Sequence, residues 1–130
     1  MKKLFAIMII VTISVVTVSA KDPAPLKRGS IELAEQNYIT GINTENEGLQ
    51  VSSAYYLGEI KSDKAVIPLM RQLHNSKSES VRIAAALSLL KIGDQRGIYA
   101  IYKNIQFDES ENVRATCKKF YICYLKKTLN

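Results

Sequence analysis

The sequence predicts an all-α chain folded as a short α-α solenoid, a superhelix of about three antiparallel helix hairpins. Three observations predict it. Apolar residues recur with the helical period from residue 30 onward, and no stretch alternates with the period of a strand. A unit of 32 residues repeats without gaps. Residues 79–92 are apolar in every direction around a helix axis, which requires neighbours on several sides.

The repeat is visible residue by residue. A shift of 32 residues lays Leu49–Ile60 on Val81–Ile92, Ala65-Val66-Ile67-Pro68-Leu69 on Gly97-Ile98-Tyr99-Ala100-Ile101, Leu73 on Ile105, and Val81-Arg82 on Val113-Arg114. Each unit divides into two helices separated by short polar breaks.

The first twenty residues differ in kind. Lys2 and Lys3 precede an uncharged apolar run from Leu4 to Val18, which closes on Val18-Ser19-Ala20. Small residues at that spacing predict a signal peptide over residues 1–20, cleaved between Ala20 and Lys21. The run is shorter than the roughly 20 residues that span a bilayer, so no stable transmembrane span is expected after cleavage. Residues 21–29 carry Pro23 and Pro25 and predict a flexible mature N-terminus. The repeat domain is expected over residues 30–130, in a secreted or periplasmic protein.

Helices are predicted at 31–42, 47–60, 64–74, 79–92, 95–106 and 111–127. Ser30, Ser78, Asp94 and Ser110 are placed to accept hydrogen bonds from the free N–H groups of a first turn. Pro68 falls in or just past the first turn of its helix and predicts a bend or a late start. In helix 79–92 the run Ala84-Ala85-Ala86 permits close approach of neighbours, which makes it the central layer. The first and last helices would cap the two open ends.

Composition narrows the function. At 47% hydrophobic and 23% charged the chain is globular, and two cysteines are too few for a disulfide scaffold. Loss of Lys2 and Lys3 lowers the formal charge from +6 to +4, and the remaining Lys and Arg are spread over every segment. No nucleic-acid partner is expected from that pattern. Cys117 and Cys123 lie about 9 Å apart along one helix axis, too far to bridge within it. Cys117 falls on the apolar stripe Val113, Cys117, Phe120, Tyr121, Tyr124, whereas Cys123 falls off it and is expected at the surface.

Two segments resemble HEAT-like repeats of the short bacterial type. In these an Ala-rich first helix runs into a Leu-x-x-Ile turn and an Ala-Ile-Pro-x-Leu second helix. The segments are Ala54–Ile60 followed by Lys64–Leu69, and Ala86–Asp94 followed by Arg96-Gly97-Ile98. The resemblance covers residues 46–116 and fades in the last helix, where Lys118, Tyr121 and Tyr124 replace Ala86, Leu89 and Ile92. It implies a protein-binding scaffold, since most such proteins are scaffolds and a minority are lyases that attach bilin pigments. It also implies a structural ladder across repeats for Arg82 and Arg114, with Asp94 near the turn.

Chemistry is sparse. His74 is the one histidine and has no partner at metal-ligand spacing. No nucleophile–base pair, paired carboxylates or Gly-rich phosphate loop can be read, so no enzymatic activity, metal or cofactor is expected, while a lyase-like activity stays open. What remains is surface. Second helices line the inner face of a solenoid, and Lys64, Arg71, His74, Arg96, Tyr102 and Lys103 are the candidate partner-binding residues, with Gln72 and Asn104 also expected to point outward. The main expectation is a protein or peptide partner on that face, with the chain itself a monomer or weak dimer. Alternatives are a lyase-like or chaperone-like helper for a chromophore or modified protein, and a basic envelope-surface binder using the last helix. On that helix a second apolar line, Ile122, Leu125 and Leu129, is expected to pack against the preceding hairpin.

Overall fold

The computed structural model describes residues 28–130. The predicted signal peptide, and the mature N-terminus up to residue 27, lie outside the described residues. Among them the chain forms six α-helices: α1 (Arg28–Gly41), α2 (Glu47–Glu59), α3 (Val66–Asn75), α4 (Glu79–Ile92), α5 (Gln95–Phe107) and α6 (Glu111–Leu129). A single 3-10 turn, Asp63–Ala65, leads into α3.

Caps explain most of the boundaries. The side chains of Ser78, Asp94 and Ser110 accept from Val81 N, Arg96 N and Val113 N, as the sequence predicts. Asn46 and Ser62 do the same for α2 and the 3-10 turn. Ser30 lies within α1 rather than ahead of it, since Arg28 and Gly29 are already helical. The late start predicted by Pro68 is found. Ser62 and the 3-10 turn hold the chain until Val66, so Pro68 sits in the first turn of α3, where its missing N–H leaves no bond unmade.

The helices form two layers. In one, α4 packs between α2 and α6; in the other, α3 packs on α5; and α1 with α2, α3 with α4, and α5 with α6 join the layers. The apolar circumference of α4 thereby finds cover, with Val81, Ala85, Ala86 and Leu89 fully buried. Close approach of α2 and α4 depends on Gly58. A Cβ there would stand 2.8 Å from Ser88 Cα, and the Ser88 hydroxyl donates to the Ala54 carbonyl across the same seam at 2.6 Å. The core runs from Ile42 through Leu57, Leu69, Leu73 and Leu89 to Ile101, Val113 and Cys117.

Polar ladders repeat with the helices. Gln50 donates to Thr44 O, Arg82 to Ser76 O, and Arg114 to Asp108 O, three donors and three carbonyls each one repeat apart. The ladder implied for Arg82 and Arg114 is therefore present, but its acid is Asp108 rather than Asp94. Asp94 is occupied by its own cap and by Arg96. A second ladder corrects the sequence reading of two side chains: Gln72 and Asn104 point inward, donating to Ile42 O at 2.6 Å and Leu73 O at 3.3 Å across to the preceding unit.

The last helix also departs from expectation. Its stripe Val113, Cys117, Phe120, Tyr121 and Tyr124 packs into the core, which turns the opposite line to solvent. Ile122, Leu125 and Leu129 are 43%, 37% and 82% exposed and stand outside the core, instead of being covered by the preceding hairpin as expected.

Candidate functional interface

The face formed by α3 and α5 is built by two short helices with strongly one-sided apolar patterns. Leu69 and Leu73 on α3, and Ile98 and Ile101 on α5, turn into the core. Their opposite sides are open and carry both cations and large apolar side chains: Ile67 is 49%, Tyr99 58% and Phe107 69% exposed. Ile67 and Tyr99 occupy the same place in successive repeats.

Between the two helices runs a groove of about 350 Å³, lined by Met70, Leu73, His74, Tyr99, Ala100 and Lys103. The Lys103 ammonium lies over the Phe107 ring at 4.9 Å and near the Tyr99 ring at 5.9 Å. A cation held on aromatic faces keeps its charge available to a ligand. Arg71 is exposed on the adjoining surface, where a second depression of about 590 Å³ is walled by Glu45, Glu47, Gln50, Arg71 and Lys77. His74 borders both the α3–α5 groove and a further depression of about 430 Å³ that reaches Lys77, Arg82 and Asp108.

The candidate residues divide into two groups. Arg71, His74 and Lys103 gather around the middle and C-terminal end of the face. Lys64 and Arg96, one repeat apart, sit at the starts of the second helices with their charges already engaged: Lys64 with Glu35 at 2.9 Å and Arg96 with Asp94 at 2.9 Å. Hydrogen bonds from the Arg96 side chain and backbone hold the Asp94 carboxyl down at about 2. The Ser62 hydroxyl, with Lys64 beside it, likewise lowers Glu35. Tyr102 turns away from the groove and rests against Tyr121 of α6, ring centroids 5.2 Å apart.

Tyr99, Phe107 and Ile67 are missing from the candidates chosen by sequence. The repeat alignment carries the signal, because the same surface position holds Ile67 and then Tyr99, yet helical period alone does not separate a solvent-facing apolar residue from a core one. Of the two thiols, Cys117 is buried and Cys123 exposed, as expected, and both are free. Burial pushes the Cys117 thiol up to about 11.

Among the described residues no group of His, Cys, Asp and Glu is placed to hold a metal ion, and no helix is long and apolar enough to cross a membrane. The sequence pattern of the family described as HEAT repeats matches residues 38–118. None of the curated proteins compared with the chain matches it.

Proposed function

The chain belongs to the HEAT-repeat family, and from that premise we propose that it is an exported, non-catalytic interaction module that takes a protein or peptide partner on the α3–α5 face. HEAT repeats generally serve as protein-interaction scaffolds. The observation that carries the reading is the α3–α5 groove itself, lined by Tyr99, Lys103 and His74, with the exposed Phe107 ring beside it under the Lys103 ammonium. Aromatic side chains with a cation among them are the composition of an interface centre, because rings contribute large contact area at low entropic cost. Arg71 adds a second cation at the edge. A partner segment with apolar side chains and carboxylates fits this surface.

Two substitutions test the face. Arg71→Glu with Lys103→Glu reverses both cations without touching the core, and capture of partners from envelope extract should fall at least about tenfold, the loss expected when charge complementarity is inverted. Unchanged capture rejects the face. Export has its own test. The protein recovered from the envelope or medium should begin at Lys21 on N-terminal sequencing, and a chain that stays in the cytoplasm beginning at Met1 rejects that part of the reading.

A further inference from the structure

The outer side of α6 is a helix-receiving surface on which no helix lies among the described residues. Ala54 and Gly58 are the residues with which α2 receives α4, as the Ser88 contacts to both of them establish. One repeat later those places are held by Ala86 and Leu90, and one repeat later again by Lys118 and Ile122. Ile122 therefore stands where the preceding helices meet their successor, and Leu125 and Leu129 extend its apolar line. Terminal units of a solenoid normally present a polar outer side. This one presents three large exposed aliphatic side chains.

Charge indicates what fits there. Over α6 the ionised residues are Arg114, Lys118, Lys119, Lys126 and Lys127 against Glu111 alone. At the other end of the molecule, over α1, α2 and the loop between them, Glu35 and Glu59 are already paired with Lys64 and Lys91, and Glu32, Glu45 and Glu47 stand against Arg28 alone. That acidic end also exposes large apolar side chains, with Ile31, Leu33, Tyr56 and Ile60 between 41% and 64% accessible. Two α6 surfaces brought face to face would set lysines against lysines, whereas an α6 surface meeting an α1–α2 end pairs opposite charges around apolar centres.

We propose that the α6 surface receives the acidic α1–α2 end of a second copy of this chain, so that molecules stack head to tail and continue the solenoid from one chain into the next. Such a contact is heterologous. Each molecule has one donor end and one acceptor end, and association runs on into oligomers unless the rotation closes a ring.

The test uses the protein purified as its cells process it. In sedimentation velocity at about 0.05 M salt the weight-average mass should climb with concentration past twice the monomer, and about 0.5 M salt should return it toward monomer. Two blocked variants then separate the possible contacts. Ile122→Glu with Leu125→Glu closes the α6 end, and Glu32→Lys with Leu33→Lys closes the other end. All four positions are exposed, so helical circular dichroism should be unchanged in both.

Each blocked variant alone should be monomeric, and an equimolar mixture should give a discrete 1:1 dimer, since one good end of each kind is then present. A wild-type chain that stays monomeric at every concentration overturns the proposal. So does an α1 variant that still dimerises by itself, which would mean α6 pairs with α6. A monomer that instead floats with anionic vesicles through Ile122 and Leu125 also overturns it, assigning the surface to a membrane.

Discussion

Arg82 and Asp108 close a buried two-pronged ion pair across successive repeats, Nε to Oδ2 at 3.0 Å and Nη2 to Oδ1 at 3.1 Å, with both side chains only 4% exposed. The remaining guanidinium nitrogen donates to Ser76 O, so one side chain ties α4 to the loop before it and to the loop after α5. Loss of Asp108 leaves the buried Arg82 guanidinium with only the exposed Glu109 carboxylate, 3.4 Å from Nη1, as a charge partner. Asp108→Ala should therefore cost about 3–5 kcal/mol, and Arg82→Met combined with Asp108→Leu should recover most of it. Urea denaturation of the three proteins checks this; a single substitution costing under about 1 kcal/mol would make the pair incidental.

The seam between α2 and α4 has no room for a methyl group. A Cβ on Gly58 meets the backbone of Ser88 at 2.8 Å, and backbone cannot rotate aside as a side chain does. Gly58→Ala should destabilise by about 1–3 kcal/mol despite the better helix propensity of alanine. Thermal melting reads the result, and an increase in stability would show that the two helices separate freely.

Lys61 adopts a left-handed backbone at φ 50°, and the equivalent residue one repeat later is Gly93 at φ 79°. Both turns pass through the left-handed region at this position, but only one of the two carries the residue that enters it without a Cβ penalty. Lys61→Gly should stabilise the fold by about 0.5–1 kcal/mol. Lys61→Ala serves as the control and should leave stability nearly unchanged, since it keeps the Cβ.

Acid should weaken the fold in a defined window. Glu35 is lowered by Ser62 and Lys64, Glu59 by Lys91, and Glu79 by Ser110 and Asn112, all from an ordinary value of 4.5. Asp94 is lowered by Arg96 from 3.8 to about 2. A carboxylate whose value is depressed in the folded state contributes its stabilisation above the unfolded value and loses it as pH falls through the folded one. The melting temperature should hold from neutral pH down to about 5 and decline below that. A decline that already sets in near neutral pH would contradict the assignment to these carboxylates.

Helix positions were legible in the sequence because three kinds of signal agreed: caps at Ser78, Asp94 and Ser110, the 32-residue shift, and the apolar circumference of α4. The ladder was half legible. Arg82 and Arg114 recur one repeat apart and the family resemblance implies a ladder for them, but Asp108 lies in the loop closing the next unit, and nothing local links it to Arg82. Gln72 and Asn104 look like surface residues in sequence because a buried amide is distinguished only by the carbonyl it meets. Tyr99 and Phe107 were hidden for the opposite reason, being apolar residues on a helix whose other side is core. Ile122, Leu125 and Leu129 were expected to be covered, and only the direction in which α6 rolls onto α4 and α5 decides otherwise.

The central claim, that partners are taken on the α3–α5 face, is tested most directly by where a bound partner can be crosslinked. A photo-reactive residue placed at Tyr99 in the groove, and separately at the exposed Tyr55 on α2, reports on two sides of the molecule in living cells. Crosslinked partner from position 99 and none from position 55 is the predicted result. Crosslinks from position 55 with position 99 silent would contradict it.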